Sequence, residues 1–293
     1  MKKLILISLL LGFSSFASSQ QTEEFPPVDY PKGYSAQLNT NYVTVGDWKG
    51  LMDLYLPPRS AGPSPVVINI HGGGWNKGSK ESQRGFGSFF KRGYAVANIG
   101  YRLVQVAPAP AAVEDVRCAL IYLINNAESL NIDTQKIVIT GGSAGGHLAL
   151  MGGLLGNDRR FDGNCPAPKD EIRVAAIINK YGVADVGDWA HGKHTSRSAT
   201  AWLGAGVDDV EFRRSVSPYY HVKKDSPPVF TVHGNADPIV PYQQSVDLHI
   251  KLDKLGVKNQ FITVEGGGHG KFPDAKKREV TALSMKFLDS LGL

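Results

Sequence analysis

Short apolar runs recur along this chain with longer, helix-patterned stretches between them. Residues 66–70, 94–99, 136–140, 174–179, 229–233 and 261–264 read as strands. Several are rich in Val and Ile without strict alternation, as expected of strands covered on both faces. Between the second and third runs, Val113, Val116, Leu120, Leu123 and Ala127 fall at helical spacing on one side of a cylinder. Val280, Leu283, Phe287 and Leu291 do the same near the C-terminus. Elements alternating in this way predict the α/β class: one mostly parallel central sheet with helices on both faces.

Two stretches are harder to read. Val246, Leu248, Ile250 and Leu252 alternate as in a strand, yet the polar composition, the length and the stop at Gly256 favour a helix, which is the expectation adopted. Residues 182–218 have weak periodicity and contain Trp189, His191, His194 and Trp202. They read as a short cap-like insertion passing over the sheet's edge, above the expected active site.

The N-terminus changes the picture of where the protein works. Lys2 and Lys3 precede an apolar run from Leu4 to Phe13 and a Ser-rich stretch, which is the layout of a secretory signal. Cleavage is expected before Gln20, or alternatively after Ala17, leaving residues 20–293 as a single domain that is secreted or periplasmic. The run is too short to span a bilayer and no later one is long enough, so no membrane span is expected. The formal net charge is +5, and loss of Lys2 and Lys3 brings it to about +3, too weak a field to argue for a nucleic-acid partner. Export permits a disulfide between the two cysteines. Cys118 on its helix can equally fill core space as a free thiol, and both readings of Cys118 and Cys165 stand.

Chemistry enters at Gly141-Gly142-Ser143-Ala144-Gly145, which follows a predicted strand and opens a predicted helix. A sharp strand-to-helix turn lifts a serine hydroxyl above the sheet, and its glycines remove side chains that would collide there. His71-Gly72-Gly73-Gly74-Trp75 follows another strand, and the N–H groups of Gly73 and Gly74, with that of Ala144, form a candidate oxyanion hole. A serine nucleophile needs a base oriented by an acid. Asp237, after the strand at 229–233, and His269, after the strand at 261–264, supply both in the order Ser, Asp, His and at neighbouring strand ends. Ser143, Asp237 and His269 are the candidate catalytic residues, with Glu265 as an alternative acid. His233 and His147 read as structural histidines. His191 and His194 have metal-ligand spacing but no accompanying carboxylate or Cys cluster, so neither a metal nor another cofactor is expected. Trp75, Trp189 and Trp202 are candidate substrate-binding residues, able to offer flat faces to a sugar or an aromatic acid, and each reads equally well as core.

With these motifs in view, the chain resembles the α/β-hydrolase superfamily. Within it, His71–Trp75, the elbow with Gly146-His147, Tyr101-Arg102-Leu103 and the segment 217–245 are most similar to the feruloyl and acetyl xylan esterases, relatives of the hormone-sensitive-lipase type. The resemblance implies an α/β-hydrolase fold and a secreted esterase acting on short acyl esters, or on acetyl or feruloyl esters of polysaccharides such as xylan. The chain departs from the hormone-sensitive-lipase type in lacking a long N-terminal cap and in having Gly142 where those carry Asp. The segment around His233 and Asp237 is also similar to prolyl-oligopeptidase-type serine peptidases, but too little chain precedes His71 for their propeller. A catalytically silent hydrolase fold serving as a binding module is the remaining alternative.

Overall fold

A computed structural model describes residues 25–191 and 195–293; the expected signal segment lies outside them. The described residues form eight strands: β1 Ser35–Val45, β2 Trp48–Leu56, β3 Ser64–Ile70, β4 Ala95–Ile99, β5 Ile132–Gly142, β6 Ala176–Lys180, β7 Val229–Gly234 and β8 Asn259–Val264. The described helices are α1 Gly87–Phe90, α2 Ala111–Asn125, α3 Ala127–Leu130, α4 Ala144–Leu154, α5 Val186–His191, α6 Arg197–Leu203, α7 Val210–Ser215, α8 Gln243–Lys254 and α9 Asp274–Asp289. Residues 246–252 belong to α8, where Leu248 and Leu252, four apart, are buried together with His249, while Ile250 faces outward.

All eight strands join one sheet in the order β1-β2-β4-β3-β5-β6-β7-β8. β1 and β2 are an antiparallel hairpin, β2 is antiparallel to β4, and every pairing from β4 to β8 is parallel. The strand runs did not announce β1 and β2. β1 is a mostly exposed edge strand, so polar residues occupy most of it and it carries little apolar signal.

Two cores flank the sheet. On one side Ile68, Ile139 and Ile177 pack with α2, α4 and α8; on the other Val67, Val138 and Phe230 pack with α1 and α9. Every residue of α4 is buried, because this helix lies between the sheet and α2. Cys118 of α2 is joined by a disulfide to Cys165 in the loop after α4. Close by, the fully buried Arg117 guanidinium is held by Asp162 at 2.9 and 3.1 Å. Among the described residues no helix is long and apolar enough to cross a membrane.

The strand order matters for function. From β3 the chain steps to β4 on one side, then returns to place β5 on the other. The C-terminal ends of β3 and β5 therefore open a crevice between loops that leave in opposite directions, where open parallel sheets bind ligands.

Candidate active site

The loop after β3 and the turn after β5 meet in this crevice. Ser143 adopts φ 57° and ψ −124°, a conformation sparsely populated by residues with a side chain. Two glycines make the turn feasible. A Cβ on Gly141 would lie 2.2 Å from the Gly145 carbonyl oxygen, and one on Gly145 would lie 2.2 Å from that of Ile70. Ser143 is thereby held at the N-terminus of α4, where unpaired N–H groups and the helix dipole favour developing negative charge.

His269 and Asp237 reach Ser143 from the ends of β8 and β7. The Ser143 hydroxyl donates to His269 Nε2 at 2.8 Å, and His269 Nδ1 donates to Asp237 Oδ2 at 2.7 Å. The second oxygen, Oδ1, accepts the backbone N–H groups of Ile239 and Val240 at 2.8 and 3.1 Å. Burial pushes the Asp237 carboxyl upward, but the hydrogen bonds from His233, His269 and Ile239 outweigh it and hold the group well below the usual carboxylate range. It stays ionised wherever His269 could act as a base.

His233 has a closer connection to the site than a packed histidine would. Its Nε2 donates to Asp237 Oδ2 at 3.2 Å and to the Val240 carbonyl at 3.1 Å, while its Nδ1 accepts the Ser245 hydroxyl at 2.7 Å. The Asp237 carboxylate is thus clamped between two imidazoles. The signal available in the sequence was the four-residue separation of His233 from Asp237 across a tight turn. Glu265, the alternative acid, instead accepts from Asn235 Nδ2 at 2.5 Å.

Gly72, Gly73 and Gly74 line one cleft with Ser143 and His269, of about 790 Å³. Among the described residues, the N–H groups of Gly73, Gly74 and Ala144 have no protein acceptor. The His71 ring stacks on Tyr101 at 4.2 Å, and the Tyr101 hydroxyl donates to the His71 carbonyl at 3.1 Å, which anchors the start of the glycine loop. Tyr181, at φ 44°, sets its ring edge-on to His269 at 4.8 Å. No motif had drawn attention to Tyr181.

The tryptophans require a correction. Trp75 and Trp202 are fully buried and stack on each other at 4.5 Å, each with an edge of the buried His147 against it. They form core beneath the glycine loop and offer no face to a ligand. Trp189 does line the cleft, but it is 3% exposed, packs on Trp75, and donates from Nε1 to the Ile239 carbonyl at 3.1 Å. A tryptophan's area favours burial as strongly as ligand stacking, and sequence cannot distinguish the two. His191 Nε2 donates to the Val207 carbonyl at 2.7 Å; His194 lies outside the described residues. Helices α5 and α6, between β6 and β7, bring Trp189, Ser196 and Ser198 to the cleft wall.

A family model described as BD-FAE matches residues 52–252. The chain is 26% identical over 261 residues to Esterase LipC of Mycobacterium tuberculosis, an alignment covering 85% of this chain and 64% of LipC, so the chain spans just under two thirds of that relative. Among solved structures it is similar to a truncated carbohydrate esterase from gut microbiota, with TM-score 0.75, 29% identity, and coverage of 87% of this chain and 96% of the other. It is also similar to an acetyl ester-xyloside bifunctional hydrolase from Caldicellulosiruptor lactoaceticus, with TM-score 0.73, 27% identity, and coverage of 84% and 90%.

Proposed function

The chain belongs to the BD-FAE family of α/β-hydrolase esterases, and from that premise we propose that it is a secreted serine carboxylesterase with Ser143, His269 and Asp237 as its triad. The observation that carries the reading is the unbroken relay from the Ser143 hydroxyl through His269 to Asp237, at 2.8 and 2.7 Å. His269 Nε2 takes the proton as Ser143 Oγ attacks the ester carbonyl. The oxyanion that forms is held by the free N–H groups of Gly73, Gly74 and Ala144. His269 then returns the proton to the departing alcohol, and the acyl group remains on Ser143. Water, deprotonated by the same imidazole, releases the acid. Asp237 keeps Nδ1 protonated and faces the imidazolium without taking its proton.

The substrates proposed are short acyl esters, acetyl or feruloyl groups on plant polysaccharides such as xylan. Supporting this, the cleft is walled by Asn76, Lys77, Gln83, Ser196 and Ser198, not by a long apolar tunnel. Two carbohydrate-active neighbours point the same way. The Cys118–Cys165 disulfide accords with an oxidising compartment and hence with export.

An aryl-ester series from acetate to palmitate, run beside acetylated xylan, tests the proposal. Activity should be highest on the shortest esters, and a fluorophosphonate should label wild type but not Ser143→Ala. A kcat/KM that rises steadily to palmitate would refute the substrate reading. Absence of labelling in folded wild type would refute the enzyme.

A further inference from the structure

β6 ends on Lys180, a half-buried cation that lines the cleft of the nucleophile. In this strand Ile177 packs on the α2 and α4 side and Ile178 on the α9 side, so alternation puts Lys180 on the latter side, past the last residues of that core. Lys180 stands in register with Gly142, the residue before Ser143, and lines the same cleft as Ser143 and His269. Gly142 has no side chain to fill the space beside it. The hydroxyl of Tyr181 borders that space, 3.1 Å from where a Gly142 Cβ would stand.

The buried cations among the described residues are all paired. Lys80 meets Asp53 at 2.8 Å, Arg102 meets Asp115 at 2.8 Å, and Arg117 meets Asp162 at 2.9 Å. Among the described residues, Lys180 has neither an ion pair nor a hydrogen-bond acceptor for its ammonium, and the Tyr181 hydroxyl has no partner either. Among the described residues no carboxylate lines the cleft, and Lys77 adds to its positive charge. Burial holds the Lys180 ammonium below its ordinary value, with no carboxylate offsetting that effect. Lys180 is half-buried, so its ammonium is partly withdrawn from water, and an anion arriving with the substrate would supply the counter-charge that the cleft lining lacks.

We propose that Lys180, with Tyr181 lining the same cleft, forms an anion subsite near Ser143 that binds a carboxylate carried by the ester substrate. This rests on the esterase reading and narrows it to acidic esters. The carboxylate belongs either to the alcohol, as in an acetylated uronic acid, or to the acyl group, as in a dicarboxylic half-ester.

Paired substrates test it. The ratio of kcat/KM, acidic over neutral, is measured for acetylated methyl glucuronide against acetylated methyl xyloside, and for an aryl hemisuccinate against an aryl acetate. Wild type should favour the acidic member of at least one pair by about tenfold or more at low salt, since a charge-assisted contact in a cleft is worth that much. The pair that responds shows where the carboxylate sits. The preference should fall as salt is raised. In Lys180→Met the ratio should collapse to within about threefold of unity, while Lys180→Arg should retain most of the preference. Fluorophosphonate labelling of Ser143 checks that each variant is folded. A wild-type ratio near one for both pairs, or a preference that survives Lys180→Met or ignores salt, would overturn the subsite. Failure of wild type to cleave the aryl acetate would instead overturn the esterase reading beneath it.

Discussion

His147 makes the nucleophile helix sensitive to acid, and the size of the effect follows from its surroundings. It lies one turn past Ser143, its backbone N–H donating to the Ser143 carbonyl at 3.0 Å. Its Nε2 donates to the Val216 carbonyl at 2.8 Å, and Nδ1 is buried without a partner between Trp75 and Trp202. A proton on Nδ1 would have no acceptor, and burial lowers the group from its ordinary 6.5 to about 4. Between those values the unfolded chain binds a proton that the folded chain refuses, so stability must rise with pH across this window. At about 1.36 kcal/mol per unit the limit is roughly 3 kcal/mol, of which about 2 is lost by pH 5 and nearly all below pH 4. His71, His221 and His249 are lowered in the same direction, so the contribution must be isolated by difference. Urea unfolding of wild type and His147→Gln, followed by tryptophan fluorescence from pH 4.5 to 8, does this. The variant should be less stable at pH 8 yet lose about 2 kcal/mol less on going to pH 5. Equal pH slopes in the two proteins would refute the claim that folding keeps His147 neutral.

Asp237→Asn should lower kcat by on the order of 10³- to 10⁴-fold in an aryl-acetate assay, because the amide favours the wrong tautomer of His269. His233→Phe should cost about tenfold in kcat with little change in KM, through a displaced Asp237, and His233→Gln, which keeps a donor, should recover part of it; equal loss in both variants would deny the positioning role. Replacing Cys118 and Cys165 together with Ala opens a loop with a sequence separation of 47 and should destabilise by about 2 to 4 kcal/mol in urea. Activity at low temperature should persist, since the disulfide lies away from the cleft lining.

The readable part of this protein was whatever local sequence constrains directly. Strands covered on both faces must be rich in Val and Ile, so β3 to β7 stood out, and the half-buried edge strand β8 showed through its short apolar run. A strand-to-helix turn tight enough to bring Gly141 and Gly145 against neighbouring carbonyls admits only glycine, so the Ser143 elbow was visible as spacing. Asp237 and His269 could be nominated because each follows a strand, and parallel strands deliver their ends to one edge.

What required the tertiary structure was every question of which group meets which. The edge strand β1 is held by pairing with β2 and not by an apolar pattern of its own. Trp75 and Trp202 carry the same side chain whether they stack on a sugar or on each other; only the packing of α4, α6 and the glycine loop put them in the core. His233 is an ordinary strand-end residue until Asp237 turns back to meet it. Whether Cys118 is a core thiol or half of a disulfide depends on where the loop bearing Cys165 lies. Lys180 reads as one more lysine, and its lack of a counter-charge beside Ser143 is a property of the cleft as a whole. Periodicity records that a face is buried; the partner that buries it comes from distant parts of the chain, and that choice is made by packing.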